Sequence, residues 1–312
     1  MLLPGSFASP GFQFRTGKTT VHNIVKETSN AVWEVLQPQY MPVPDHQQWK
    51  EIARAFFEKC NVPNCIGILM AIADAKRCFT LIDVRAYGRK SDSAVFSNSS
   101  MCRSFLSGHL DIPQPSEIPT TDIKIPFHLI VDTTFPLKPN IMRPYPRKDL
   151  DYSRKVFNYR MSRARRNVEC AFGMLTQKFG VLKTSMETST EVSEAIAKSI
   201  CVLHNFIHHK YSMNFCGDND DAIDDHHQNM SLSPAKSTRP TAEALSIRDT
   251  LREYFVSPGG SCRVAGQKHP RMHIFTAEEM AKPVYTLSTL YNYIKITVHK
   301  ITGITNSTSF SH

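Results

Sequence analysis

The sequence lacks the features that mark membrane, secreted and zinc-binding proteins. No apolar run approaches the roughly 18 residues that a membrane-spanning helix needs. The first twelve residues contain no basic segment followed by a long apolar one, so we expect no signal peptide. The eight cysteines are scattered, without a Cys-x-x-Cys pair or a paired Cys/His spacing that would indicate zinc. We therefore expect reduced, mostly buried thiols in a protein of the nucleus or cytoplasm.

Acidic residues are also in short supply. The 312 residues include 28 Asp and Glu against 37 Lys and Arg, which gives a formal net charge of +9. That balance suits a polyanionic partner, most simply nucleic acid, and predicts salt-sensitive binding. A basic protein without such a partner fits the total charge as well. The excess is concentrated between residues 143 and 183, which contain eleven Lys and Arg and three Asp and Glu.

The N-terminal part predicts a turn followed by an amphipathic helix over residues 12–36. Its apolar residues recur at roughly helical spacing, and Thr19 or Thr20 is a plausible N-cap. A short turn before a helix that carries Lys18 and Lys26 is typical of a helix-turn-helix that contacts DNA. Plain packing of an amphipathic helix explains the same pattern, and the spacing does not decide between the two interpretations.

Three apolar segments have the length and composition of strands. Residues 66–74 and 78–86 are separated by a short polar turn, which predicts a β-hairpin. Residues 127–135 are almost continuously apolar up to Asp132, which predicts a buried central strand.

Helical spacing of apolar residues predicts four further helices, over residues 47–59, 152–179, 191–209 and 241–255. Pro38, together with the prolines at 42 and 44, is expected to end the first helix. Strands followed by helices predict an α/β domain. The expected division is a helix-turn-helix-like segment over 1–45, the α/β domain over 46–210, an acidic low-complexity linker over 211–246, and a short helix with an unassigned tail over 247–312.

Three acidic residues are candidates for a metal site. Asp132 ends the predicted central strand, Glu169 lies in the long helix beside its apolar face, and Asp92 follows the hairpin. Carboxylates from a strand end and from a helix above the sheet can converge on a divalent cation, with water and phosphate as the other ligands. Two such cations activate water and stabilise the leaving oxygen in phosphodiester cleavage.

Each of these acids also has a structural explanation. Asp132 is well placed to cap a turn, and Asp92 precedes a serine in a segment that suits a turn. Glu169 is within helical reach of Arg165 and Arg166, so a surface ion pair accounts for it as well.

Several segments resemble the Harbinger transposase-derived nucleases. The resemblance rests on VFNYRMSRARRNVECAFGML and VLHNFIHH, and it extends to DVRAYGRKSDSAVF, VDTTFPLKPNIMRPYP and LQPQYMPVP. It covers roughly residues 5–210. Members of that family are DDE-type endonucleases with an RNase H-like fold, so the resemblance implies this fold for the α/β domain and DNA as the substrate.

The resemblance also implies roles for individual residues. A triad of acids binds Mg²⁺ or Mn²⁺ in the family, and Asp132 and Glu169 match the second and third acids, 37 positions apart. Asp92 matches a further acid that assists the metal site. The implied DNA contacts are Arg160, Arg163, Arg165 and Arg166, joined by Lys18 and Lys26 of the N-terminal helix.

The sequence departs from the family where the first acid is expected. In the family, a strand similar to CIGAIDGKH carries that acid, whereas here Gly67 leads directly into Ile68 and some thirty residues are absent. We therefore expect an RNase H-like sheet that has lost most of its first strand. Thr133 also stands where the family often has an acid.

Two functional hypotheses follow from the resemblance and from the departure. One is a nuclear DNA endonuclease that depends on a divalent metal. Its catalytic activity is impaired if cleavage requires the first acid. The other is a non-catalytic nuclear protein that binds DNA or a partner, for which the family implies a Myb-like DNA-binding protein. A third hypothesis explains the absent segment differently: the chain is an incomplete gene product.

Overall fold

A computed structural model describes residues 13–68, 71–82, 84, 100–133, 135–146, 148–183, 186, 188–211 and 239–260. In chain order, these residues form α1 (Lys18–Tyr40), α2 (His46–Cys60), β1 (Cys65–Ile68), β2 (Ala71–Ala73), β3 (Phe79–Ile82), α3 (Ser100–Leu106), β4 (Ser116–Glu117), β5 (Lys124–Ile125), β6 (His128–Ile130), β7 (Ile141–Met142), α4 (Tyr152–Lys178), α5 (Thr190–Tyr211) and α6 (Ala242–Val256). Within this part of the chain, no helix is both long and apolar enough to cross a membrane.

A five-stranded mixed sheet forms the centre of the molecule, in the order β3-β2-β1-β6-β7. β1 runs parallel to β6, and β6 runs parallel to β7, whereas β2 is antiparallel to both of its neighbours. β1 and β6 are buried along their whole length, which explains their largely apolar sequences. The predicted α/β class and the buried strand near residue 130 are confirmed.

The first strand, most of which was expected to be missing, is present as the four-residue β1. β1 is present at the centre of the sheet, and the segment predicted as one strand over 66–74 forms β1 and β2. Gly67 permits this arrangement, because its φ of +148° is unfavourable for other residues and a Cβ there would lie 2.4 Å from Ile72 Cγ2. Periodicity could not reveal the division, because both short strands are apolar.

Helices cover both faces of the sheet. On one face, Trp49 of α2 and Phe105 of α3 belong to a buried cluster with Ile66 and Leu129. On the other face, a larger buried cluster joins the sheet to α4, α5 and α6. Ile66 belongs to the first cluster and Ile68 to the second, although strict alternation would direct residues two apart to the same face. The pairing of β1 with β6 shifts register between Cys65 and Gly67, and this irregularity lets the central strand contribute to both layers.

Helix α1 packs along α5, and the two run in the same direction. Lys26 Nζ lies 3.0 Å from Glu191 Oε2 near their starts, and the Asn205 side chain donates to Tyr40 O at 2.8 Å near their ends. These contacts confirm the packing interpretation of the N-terminal helix. The helix-turn-helix interpretation stays a prediction, for the exposed face that includes Lys18.

Two expectations about the ends of α1 are wrong. The N-cap is Gly17 rather than a threonine, and Thr19 and Thr20 lie in the first turn of the helix. The helix also continues through Pro38 to Tyr40. Proline removes one backbone hydrogen bond, and the tertiary contacts of Tyr40 with α5 stabilise the last turn.

Helix α6 belongs to the same core as α4. The rings of Phe255 and Phe157 have centroids 5.6 Å apart, and the Tyr145 hydroxyl donates to the Asp249 carboxylate. Phe255 is 1% exposed. The helix that follows the predicted linker is thus packed on the α/β domain.

Candidate functional site

Asp132 lies in the turn that follows β6. Its Oδ1 accepts a hydrogen bond from the Thr133 N–H at 2.7 Å, and its carbonyl accepts one from the Phe135 N–H. These bonds confirm the turn-capping interpretation. The side chain is nevertheless 21% exposed, so part of the carboxylate remains accessible to solvent.

Glu169 lies in the middle of α4, beside the buried Val168 and Phe172. Its side chain is only 11% exposed, and its Oε1 lies 3.8 Å from Nη2 of Arg165, one helical turn earlier. Within the described part of the chain, this buried Oε1 atom has no hydrogen-bond partner. The ion pair considered for Glu169 therefore exists, but it lies in the interior and not on the surface.

Arg165 brings the two acids together. Its Nη1 donates to Asp132 Oδ1 at 3.2 Å, while its Nη2 faces Glu169. The arginine side chain is 8% exposed. A carboxylate from the end of β6 and one from α4 therefore flank a single buried guanidinium. We call Asp132 and Glu169 the acid pair, and Arg165 its bridging arginine.

Burial controls the protonation of Glu169. Loss of solvation raises its pKa from the ordinary value to about 7, and the negative charge of Asp132 acts in the same direction. The positive charges of Arg165 and Arg166 oppose the increase but do not cancel it. Glu169 can therefore gain or lose a proton near neutral pH, which a surface glutamate cannot do.

The acid pair has the donor set of one divalent cation. Mg²⁺ takes one or two protein carboxylates and completes its shell with water and phosphate. The unbonded Oε1 of Glu169 is an atom that such a cation would satisfy. In the described residues, no group of three His, Cys, Asp or Glu side chains could hold a metal. The pair thus fits one ion, held with substrate phosphate, and Arg165 would have to yield to it.

The remaining predicted acids do not complete a triad among the described residues. Asp92 lies outside them. β1 and β6 pair Ile68 with Ile130, and Asp132 follows Ile130 by two positions. The sequence has Met70 two positions after Ile68, which supplies no carboxylate.

Asp74, the acid nearest to β1 in the sequence, has a structural role. Its Oδ1 accepts hydrogen bonds from the N–H groups of Lys76 and Cys78, at 2.9 and 2.8 Å. These bonds close the turn between β2 and β3.

The arginines of α4 divide into two sets. Arg160 is buried and donates to Gly260 O at 2.7 Å and to Asn61 O at 3.3 Å, with its guanidinium 4.6 Å from the centroid of the Phe255 ring. Protein groups therefore hold Arg160, as they hold Arg165. Both arginines have partners inside the protein, and their DNA contacts stay predictions.

Arg163 and Arg166 are less buried than Arg160 and Arg165, and Arg166 is exposed. They line a small pocket together with Lys59 and Arg77, two residues that the sequence did not mark as candidates. Spacing along the chain could not have found them, because they reach α4 only through the packing of α2 and the β2–β3 turn. Lys26, also predicted to contact DNA, is paired with Glu191.

A sequence model of the DDE superfamily endonucleases matches residues 44–205. The chain belongs to this family. The match begins just before α2, ends within α5 and includes Asp132 and Glu169. No curated protein and no solved structure matches the chain. The predicted resemblance is thereby confirmed at the level of the DDE endonucleases.

Proposed function

We propose that the protein is a transposase-derived DNA endonuclease of the Harbinger type, which hydrolyses phosphodiester bonds with Mg²⁺ or Mn²⁺. The observation that carries the proposal is the acid pair, in which Asp132 and Glu169 meet from β6 and α4 within the family-matched segment. The mixed sheet with helices on both faces supports an RNase H-like fold for this domain.

Asp132 and Glu169 are the residues that would hold the cation. When bound, a divalent cation at such a site activates water and stabilises the leaving oxygen of the phosphodiester. Glu169 must be ionised to act as a ligand, so cation binding releases a proton at pH values below about 7. Activity should therefore increase with pH through this range.

Arg165 acts on both carboxylates. It neutralises part of their charge and fixes the side chain of Asp132 through the 3.2 Å hydrogen bond. Its buried stem keeps the guanidinium beside the acids whether it bonds to them or to a substrate phosphate. We propose that it exchanges carboxylate for phosphate when DNA and the cation enter.

A second candidate is a nuclear DNA-binding protein without catalytic activity. Two observations favour it: the segment in which the family resemblance implies the first acid is absent after Gly67, and Arg165 occupies the space between Asp132 and Glu169. Such a protein would use the basic face of α4 and act with a Myb-like partner, as the family resemblance implies.

Nicking of supercoiled plasmid separates the two candidates. The full chain is assayed with MgCl₂, MnCl₂ or EDTA, beside Asp132→Asn, Glu169→Gln and the control Glu34→Gln, which removes an exposed acid of α1. The endonuclease predicts cation-dependent nicking by the wild type and by the control, and background nicking by the two site variants. Equal nicking by all four chains would identify a contaminant and contradict the proposal.

A gain-of-function variant sharpens the same test. Met70→Asp adds a carboxylate two positions after Ile68, just as Asp132 stands two positions after Ile130, the pairing partner of Ile68. The endonuclease hypothesis expects cation-dependent nicking to increase in this variant. Absence of nicking in the wild type and in Met70→Asp, with DNA binding retained, would decide for the non-catalytic candidate.

A further inference from the structure

A small basic pocket lies between the C-terminal end of α2, the β2–β3 turn and α4. Four of its lining residues are cationic, namely Lys59, Arg77, Arg163 and Arg166. Asn167 and two cysteines complete the lining, so none of the described residues around the pocket is acidic. Four positive charges converge here from three separate elements, in contrast to the acid pair, where one arginine faces two carboxylates.

The walls of this basic pocket are fixed by hydrogen bonds. Lys59 Nζ donates to Ala75 O at 3.0 Å, which joins α2 to the β2–β3 turn. His204 Nε2 donates to Arg77 O at 2.9 Å, which joins the same turn to α5. Arg77 has a φ of +70°, which is uncommon for a residue with a side chain. These hydrogen bonds fix the positions of α2 and the β2–β3 turn, so the pocket is preorganised.

Arg77 has an unused donor. Within the described part of the chain, its buried Nε has no hydrogen-bond partner. A buried donor without a partner costs free energy, and an acceptor brought by a ligand would remove that cost. A guanidinium and an ammonium group together are the donors that proteins use for phosphate oxygens.

The surroundings of the pocket carry the same sign of charge. Burial lowers the pKa of His208, and the positive charges of Arg77, His209, Lys59 and Lys76 lower it further. The nearby Asp74 carboxylate already accepts two backbone N–H groups, and burial raises its pKa. An anion that enters the pocket therefore meets positive charge on several sides.

We propose that this basic pocket binds one phosphate group of the DNA backbone, next to the acid pair. The proposal rests on the proposed function only for the choice of DNA as the source of the phosphate. Arg166 links the two places, because it lines the pocket and its charge also lowers the pKa of Glu169. A phosphate held here fixes the path of the strand relative to the acids and reads no base sequence.

Salt-dependent DNA binding by the full chain tests the pocket. The anisotropy of a fluorescein-labelled 20-base-pair duplex is titrated with the wild type, Lys59→Gln and Arg77→Gln at several NaCl concentrations. Lys50→Gln is the matched control, because it removes the same charge from an exposed position of the same helix. Each pocket variant should weaken binding several-fold and reduce the slope of log K against log salt by about 0.9, the value for one lost phosphate contact.

Inorganic phosphate separates the two sources of the ligand. If the pocket prefers a free anion, 10 mM phosphate at constant ionic strength should raise the melting temperature of the wild type but not of Arg77→Gln, and the salt slopes of all variants should agree. That result would overturn a DNA contact at this place. Arg77→Lys guards against misfolding: it keeps the charge, so it should restore most of the slope that Arg77→Gln loses.

The pocket and the endonuclease can fail independently. Loss of slope in Lys59→Gln and Arg77→Gln, without nicking by any chain, would support the pocket and remove the catalytic proposal. Slopes equal to those of Lys50→Gln, beside nicking that depends on Asp132 and Glu169, would remove the pocket and keep the endonuclease. A wild type that binds no duplex would overturn both.

Discussion

Helix α4 carries two inward arginines, Arg160 and Arg165, and two outward arginines, Arg163 and Arg166. The two sets share one sequence segment but differ in burial and in the groups that they face. Arg160 and Arg165 are buried, and backbone carbonyls or carboxylates accept their hydrogen bonds. Arg163 and Arg166 face a pocket without acidic lining residues among those described. The comparison teaches that the total charge of a basic helix overstates its capacity to bind DNA, because protein groups already accept hydrogen bonds from the buried arginines.

The largest expected effect comes from removal of the inward Arg165. Arg165→Met keeps the bulk of the stem but leaves Asp132 and Glu169 beside each other without their common counter-charge. We expect the free energy of unfolding at pH 8 to fall by about 4 kcal/mol, the typical cost of breaking a buried ion pair from one side. Urea denaturation measures it, with Arg163→Met as the control.

The Arg165→Met loss should be smaller at pH 5, where Glu169 takes up a proton and the repulsion ends. A loss below about 1 kcal/mol at pH 8 would mean that Arg165 behaves like a surface arginine. Arg165 would then contribute no more to stability than the outward arginines do, and its burial beside the acid pair would have no energetic consequence.

The second prediction concerns the pH dependence that Glu169 confers. Its pKa is about 7 in the folded protein and the ordinary 4.5 in the unfolded chain, so the folded state binds more protons between these values. Stability must therefore fall as pH increases from 4.5 to 7. Between pH 4.5 and 7, the free energy of unfolding of the wild type should fall by on the order of 3 kcal/mol relative to that of Glu169→Gln, because one pKa unit corresponds to about 1.4 kcal/mol.

Urea denaturation of both chains at pH 4.5, 6, 7 and 8 gives the Glu169 profile. Parallel profiles for the wild type and Glu169→Gln would show that Glu169 titrates as an exposed carboxyl. Such a result would contradict the burial of the acid pair.

The third prediction concerns the inward Arg160, which contacts neutral groups. Arg160→Met removes hydrogen bonds to Asn61 O and Gly260 O and the contact with the Phe255 ring. We expect a loss of about 2 kcal/mol in the free energy of unfolding, since hydrogen bonds of charged donors contribute about 1.5–3 kcal/mol. The loss should be independent of pH from 5 to 8, which distinguishes it from that of Arg165→Met.

The smallest effect is expected at the outward Arg163. Arg163→Met removes one of four like charges around the basic pocket, so the free energy of unfolding should change by less than about 0.5 kcal/mol, with a gain at low salt. Its DNA affinity should nevertheless fall. A destabilisation comparable to that of Arg160→Met, by the same denaturation measurement, would erase the distinction between the two sets.

Much of the fold was predictable from local patterns. The long helix over 152–179 is α4, and the helices near 191–209 and 241–255 are α5 and α6 within one or two residues. Their amphipathic spacing is long and regular, which makes such elements the easiest to predict. The division between β1 and β2 was missed because two adjoining apolar strands give the same pattern as one.

The candidate site was predictable only in part, and for a different reason. Asp132 and Glu169 stand in motifs of the family, and their meeting follows from a strand end that faces a helix. The bridging position of Arg165 was considered only as a surface pair, because the i to i+4 spacing reveals a neighbour but not its burial. Lys59 and Arg77 had no local signal at all.

The sequence by itself determined the helices, the apolar strands, the net positive charge, the family and the direct junction of Gly67 with Ile68. These properties depend on residue types and on spacing within one segment. Only the tertiary structure decided that β1 still occupies the centre of the sheet, that two of the four α4 arginines are buried with partners inside the protein, and that Lys59 and Arg77 join the other two. The physical reason is that burial and counter-charge come from segments distant in the chain, which meet only when the sheet and its helices pack together.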